Sequence, residues 1–505
     1  MVQRRATLCG CAVGVIVLAA VAGGGCGSGT KPVSSSPLAD AKSAGLAEKE
    51  RTAAAERAWR ESAANAEDRR ALTASFKDMA WDPRTPTPVR ARVLDLMIDD
   101  PDPAAAQEGR SIARLMLPRE QSRAMVAYIC QRIAAGGWKE CTPALVRSYA
   151  HPVPGVPDAE RGERVALVAL YPDRAPEQVV FEMFLHPPAP EPDVTIPDWT
   201  ERLRAESWEL LGRLDSEGTI RAALLTGSSG VGNEDAAVRA LRRCREELGC
   251  VPITGEELKW LLSLSDSTPE NAAWWSESAR AVQSLPASSR AGLHLCDIEP
   301  VRWAAANRSA WLAASRDDLL AELEKRLEER KHRRRTIDAN EFHQPISQRL
   351  QDWRDQMRWG DVLAVLVVDE ALHAPTVSAA IFQQAALDQR DTSTEFGGLL
   401  ESIPAPPGAF RTRMFPPRPG QRLGDQRFVA SEDLVAAADR ALVLYHFHVQ
   451  RWHNDAYAGP SRDDLAFAVR SGRLCAVFTS IDEDTLNVDF YQPEGIILDL
   501  GDLTR

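Results

Sequence analysis

Two histidines one residue apart close the run Leu442-Val443-Leu444-Tyr445-His446-Phe447-His448. Val443, Leu444 and Tyr445 favour an extended strand, in which side chains two positions apart face the same side. His446 and His448 are therefore presented together and can share one metal ion. A zinc ion that does chemistry takes about three protein ligands from His, Asp, Glu or Cys and leaves one position for water. Asp464 is the natural third ligand. It follows Ser461 by three residues, and a Ser ahead of the apolar residues Leu465, Phe467 and Ala468 reads as a helix start that aims the Asp464 carboxylate back over the first turn. A base for the water is found upstream in Thr394-Glu395-Phe396-Gly397-Gly398-Leu399-Leu400. This strand-like segment carries one acid beside two glycines, where a second backbone can pass closely. Taken singly, each piece has a plainer reading. Ser-x-x-Asp is a common helix cap, and a histidine pair on a strand is often polar surface.

In this order the residues resemble the signature of the JAMM (MPN-domain) metallopeptidases: Glu395 with Gly398 and Leu400, then His446 and His448, then Ser461 and Asp464 opening a helix. The resemblance covers roughly residues 360–500. It implies an α/β domain, a mixed sheet flanked by helices, in which His446, His448 and Asp464 bind Zn2+. Glu395 would handle the proton of the zinc-bound water, and Ser461 would help polarise the scissile carbonyl. The implied activity is zinc-dependent hydrolysis of a peptide or isopeptide bond in a protein or peptide substrate. The chain departs from the family at Val449, where a Pro is usual, and in the twelve residues between His448 and Ser461. The metal geometry then requires Trp452-His453-Asn454-Asp455 to bulge outwards. The alternative favoured by these departures is a catalytically inactive MPN-like scaffold or interaction module.

The elements that must position these residues are read from residue 360 onwards. The β-branched, Leu-rich run from Asp361 to Leu372 reads as a strand. Pro375 to Arg390 follows as a helix with Val377, Ile381 and Leu387 inward, packed directly against the next strand, Glu395 to Leu400. Met414 to Arg422 is Pro- and Gly-rich and reads as a loop near the pocket. Ser431 to Arg440 is a short helix before the histidine strand. After Asp464 come a helix to about Gly472, a strand from Leu474 to Ser480, and a final pair around Leu486 to Tyr491 and Ile496 to Leu500.

Residues 1–26 have basic Arg4 and Arg5, an apolar run from Ala12 to Ala22, and Gly23-Gly24-Gly25-Cys26. The run is short for a bilayer span and reads as an export signal. A Cys after small residues resembles a bacterial lipoprotein processing site, with Gly23 where Leu is usual. Cys26 is the expected lipidation site and the protein an exported, membrane-anchored lipoprotein of the cell envelope, with ordinary cleavage or an uncleaved anchor as the alternatives. Residues 27–48 read as a flexible tether.

Residues 49–335 are rich in Ala, Leu, Arg and Glu, with Val89, Val93, Leu94 and Met97 at helical spacing. Leu203, Trp208, Leu211 and Leu214 repeat that spacing, as do Val238, Leu241 and Leu248. Short helices between Pro-, Gly- and Asp-rich turns predict an irregular α-solenoid with HEAT-like segments and no constant period, serving as a scaffold or a surface for a protein partner. Residues 336–359 read as a linker to the 360–505 domain. Gly227-Ser228-Ser229-Gly230-Val231-Gly232 lacks the Lys-Ser or Lys-Thr of a phosphate loop and reads as a plain connection. Pro187 to Pro197 reads as an extended spacer. Asp317 to Arg335 is acidic at its start and basic at its end, so Lys331 to Arg335 reads as a helix terminus. Trp274 and Trp275 read as core.

A formal net charge of −12 and a pI near 5.4 exclude the basic surplus that nucleic-acid binding requires. At 505 residues the chain holds two or three domains. Cys130 with Cys141, and Cys244 with Cys250, are spaced either as bridges in an oxidising compartment or as buried free thiols.

Overall fold

The computed structural model describes residues 36–190, 197–215, 218–227, 235–336, 346–404, 406–424 and 428–505. The export signal, Cys26, most of the Gly227–Gly232 segment and the centre of the Pro187–Pro197 spacer lie outside these residues. The tether expected over 27–48 gives way to structure at Ser36, which caps the helix Pro37–Lys42. Arg51 Nε donates to the carbonyl of Ala41 there, at 2.9 Å.

The chain forms two compact units, residues 1–112 and 113–505. In the first, Trp59 stacks on Phe76 at 5.3 Å. The helix Thr87–Ile98 buries Val89, Val93, Leu94 and Met97, the stripe that its spacing predicts.

The second unit is helical up to Asp388 and then carries a six-stranded mixed sheet. Its helices bury the expected faces: Leu203, Trp208 and Leu211 of Trp199–Leu214, and Val238 and Leu241 of Ala236–Arg243. Trp274 and Trp275 are buried, their indole N–H groups donating to Glu299 and Glu247 at 2.7 and 2.6 Å. The six described cysteines are buried free thiols, with the sulfurs of Cys244 and Cys250 3.5 Å apart.

These helices and the sheet fall within the same compact unit and pack on one another. Trp303 stacks on Phe410 at 5.0 Å, and Trp260 Nε1 donates to the carbonyl of Asp439 at 2.8 Å. Lys331 to Arg335 is not a helix terminus. The helix Arg316–Leu327 ends earlier, and the basic residues run on as a strap along the sheet edge, where Arg333 pairs with Asp502 at 2.8 Å. The strap is held there because carboxylates of the last strand receive its guanidinium and amide groups, Arg333 N donating to Asp499 Oδ2 at 2.6 Å.

The strand expected over Asp361 to Leu372 is instead the helix Trp359–Leu372. Its β-branched residues are buried on every side, and a helix enclosed all round has no polar face to reveal its period. The decisive local signal is Asp361, whose carboxylate accepts the amide of Arg358 at 2.6 Å and caps the first turn. Among the described residues no single helix is long and apolar enough to cross a membrane; this one and Pro375–Asp388 pass that test only as a pair bent by 78°. In Pro375–Asp388, Val377 and Ile381 point inward as expected, but Leu387 is 47% exposed. That helix packs chiefly on the edge strand Phe410–Met414 rather than on the strand next to Glu395.

The strands are β1 (Gly397–Ser402), β2 (Phe410–Met414), β3 (Val443–His448), β4 (Cys475–Asp482), β5 (Thr485–Tyr491) and β6 (Ile497–Thr504), in the order β2-β1-β3-β4-β5-β6. Only β3 and β4 are parallel, and the helix Arg462–Ser471 makes the crossover between them. That connection sets the carboxyl end of β3 beside the start of a helix.

Candidate metal centre

β3 is buried along its whole length, and its alternation places Leu444, His446 and His448 on one face. The two imidazoles meet there, Nε2 to Nε2, at 3.2 Å. Ser461 caps the crossover helix in a reciprocal box with Asp464: the Ser461 hydroxyl and amide both donate to Asp464 Oδ2 at 2.7 Å, and the Asp464 amide donates back to Ser461 Oγ. This box turns the carboxylate onto the histidines, with Oδ1 3.4 Å from His446 Nε2 and Oδ2 3.8 Å from His448 Nε2.

Glu395 lies two residues before β1 rather than within it, and its buried carboxylate stands with the two imidazoles, one ligand atom from each of the three within 4.8 Å of the others. Glu395 and Asp464 are thus both candidates for the third ligand. Asp464 reaches the two imidazoles with different oxygens, Oδ1 to His446 and Oδ2 to His448, whereas Glu395 offers a single oxygen to both. Metal–nitrogen and metal–oxygen bonds of about 2.0–2.2 Å in a tetrahedron put donor atoms about 3.3–3.6 Å apart, close to the 3.2 Å between the two imidazole nitrogens and the 3.4 Å from His446 Nε2 to Asp464 Oδ1.

The surroundings hold the cluster in shape. Gln450 Nε2 donates to Glu395 Oε1 at 2.6 Å, and Asn454 Nδ2 donates to Gln450 Oε1 and to the carbonyl of His448 at 2.9 and 3.1 Å. Asn454 is buried, and its amide reaches the carbonyl of Ser480. The loop between His448 and Ser461 does bulge as the spacing requires. Trp452 is 40% exposed and the chain turns at His453 with φ 62°, while Asn454 ties the base of the loop to the site. Phe428 stacks on His446, ring centres 5.1 Å apart. Met414 to Arg422 does not line the cavity; Phe428 to Ala430 take that place. Gln450, Asn454 and Phe428 carry no sequence signal, since their roles arise only when the loops close over the sheet.

Gly397 pairs with His446, and a Cβ there would overlap the Phe428 ring and lie 2.7 Å from the Tyr445 carbonyl oxygen. Gly398 would meet the Arg413 carbonyl at 2.5 Å, the close backbone passage expected of this segment. Gly397→Ala is accordingly expected to destabilise the chain by about 1–3 kcal/mol through overpacking and to weaken metal binding by displacing Phe428. Chemical denaturation and competition with a zinc chelator read the two effects, and an unchanged chelator midpoint would contradict this role.

Electrostatics divides the histidines. Burial disfavours charge on both. On His446 the Asp464 carboxylate outweighs burial and raises the pKa; on His448 burial, joined by the charge of His446, pushes it down to about 3. Asp464, despite its burial, is held below the usual carboxylate range by His446. A proton taken up by the cluster therefore goes to His446 in preference to His448. Because a raised histidine keeps its proton to higher pH, a metal competes with that proton over more of the neutral range. Metal uptake should release about one proton, with affinity falling as pH drops through the raised titration of His446. Calorimetric zinc titrations in two buffers of different ionisation enthalpy measure this, and a release of zero is the contrary result.

Comparison with protein-family models, with curated proteins and with solved structures finds no match.

Proposed function

We propose that the chain is a zinc-dependent hydrolase of peptide or isopeptide bonds, of JAMM type. The observation that carries this reading is the convergence of His446 Nε2, His448 Nε2 and the Glu395 carboxylate within 4.8 Å of one another, with the Asp464 carboxylate 3.4 and 3.8 Å from the two imidazoles. Two histidines and a carboxylate form a known zinc donor set that leaves a position open. Bound zinc supplies Lewis acidity, which makes water a nucleophile near neutral pH and polarises a carbonyl.

The chain's own residues do the rest. Glu395 takes a proton from the attacking water and returns it to the departing amine. Gln450 fixes one of its oxygens for that exchange. Phe428 and Phe467 contribute apolar wall to the cavity. Ser461 has its hydroxyl proton on Asp464, so its geometry favours bracing a ligand over polarising the substrate carbonyl.

A second reading, an inactive MPN-like module, is favoured by the same Ser461–Asp464 box and His446–Asp464 contact, which satisfy these groups without a metal. Against it stands His448, whose buried Nε2 faces a second basic nitrogen, that of His446, at 3.2 Å. On the lipoprotein reading of Cys26, the substrates are peptides or proteins of the cell envelope. The test is to incubate the zinc-reconstituted full chain with a mixture of unfolded proteins and follow new amino termini by mass spectrometry. Termini that vanish on chelation and return with zinc are expected; none in either state would refute the hydrolase.

A further inference from the structure

The cavity over the metal centre encloses about 1140 Å³, beyond the roughly 300–1,000 Å³ typical of small-molecule sites, so it has room for a peptide segment. Its charge is opposite to that of the chain. Setting aside Glu395 and Asp464, the lining carries Arg335, Arg451, Arg462 and Arg470 against the single carboxylate of Asp463, in a protein of net charge −12.

Two of these arginines converge. The guanidinium carbons of Arg335 and Arg451 lie 5.7 and 5.8 Å from the centre of the same ring, Tyr457, which also lines the cavity. Arg335 is fixed by donating Nη1 to the carbonyls of Tyr457 and Gly459 at 3.2 and 2.9 Å, while its Nε is buried without a hydrogen bond. Arg451 is exposed. Among the described residues neither guanidinium forms an ion pair with a carboxylate. Arg333 in the same strap, by contrast, pairs with Asp502. Arg335 acts electrostatically on the buried Asp489 carboxylate and has Nη1 engaged, while Arg451 beside the same ring is exposed; guanidinium groups so placed suit a carboxylate.

We propose that Arg335 and Arg451 form a subsite for a carboxylate carried by the substrate, so that the preferred substrate is a peptide with a negative charge within one or two residues of the scissile bond. The inference rests on the hydrolase reading for the word substrate, but the binding site stands by itself. The charge comes either from the chain terminus or from an acidic side chain.

The test uses the zinc-loaded full chain bearing Glu395→Gln, so that peptides survive, with calorimetric binding of four acetylated probes. These are tetraalanine with a free carboxyl terminus, its carboxamide, and two amidated pentaalanines with a central aspartate or a central asparagine. At least one acidic probe is expected to bind about tenfold or more tighter than its neutral partner, the range of a charge-assisted hydrogen bond, and Arg451→Gln should remove that preference. Preference for the free terminus assigns an α-carboxylate; preference for aspartate assigns a side chain. Equal binding within both pairs, or a preference that survives both Arg451→Gln and Arg335→Gln, overturns the subsite. Arg335 braces the loop before Ser461, so if Arg335→Gln fails to fold, the exposed Arg451→Gln decides alone. Cleavage of the same probes by the wild-type chain is scored separately. Arginine-dependent binding without cleavage of any peptide supports the subsite and counts against the hydrolase, whereas cleavage with no acidic preference does the reverse.

Discussion

Glu395→Gln is expected to abolish hydrolysis while zinc stays bound. The substitution keeps the shape of a buried side chain, so the fold and the two imidazoles are undisturbed. What is lost is the group that can take up a proton beside His446 and His448. General acid–base catalysis is worth about 10²–10⁴-fold, and the fall should appear in kcat with zinc content unchanged. If Glu395→Gln turned over a genuine substrate at the wild-type rate, the proton path would lie elsewhere. If instead it released the zinc, Glu395 would be the third ligand in place of Asp464.

His446→Ala is expected to remove both metal and activity. Its Nε2 is the atom that both other donors approach, His448 at 3.2 Å and Asp464 at 3.4 Å, so its loss leaves the remaining pair at their longer separation of 3.8 Å. Changes to outer partners of metal ligands alone cost about 10–100-fold in affinity; removal of a ligand should cost more. Loss of the Phe428 stacking partner adds to the effect. The zinc dissociation constant, measured by chelator competition, reports it. A variant that kept wild-type affinity would show that His446 does not hold the ion.

The meeting of His446, His448 and Asp464 was legible in the chain because its signals are local. The strand period of two brings His446 and His448 to one face, and a Ser three residues before an Asp is a helix start whatever surrounds it. Both elements stand where the spacing puts them. Tertiary contacts were not legible. Asp361 to Leu372 lacks a polar face, and burial on all sides erases the periodicity that separates helix from strand. The basic run Lys331 to Arg335 looks like the end of a helix until the carboxylates of β6 are brought beside it from the far end of the chain. Gln450 and Asn454 fall in a loop whose residues read as generic polar surface, yet they tie Glu395 and the His448 backbone together. The division at residue 112 was hidden for a related reason: helices from 113 onwards bury their apolar faces against one another and against the sheet, and no linker composition marks that they do.

The most direct test of the account is the metal content of the purified full chain after dialysis against trace zinc, with Asp464→Ala alongside. One zinc per wild-type chain and a large loss in the variant are predicted by the proposal, which takes the Asp464 carboxylate as the third ligand beside the two imidazoles. A wild-type chain that holds no zinc under these conditions, or an Asp464→Ala chain that holds as much as wild type, contradicts it.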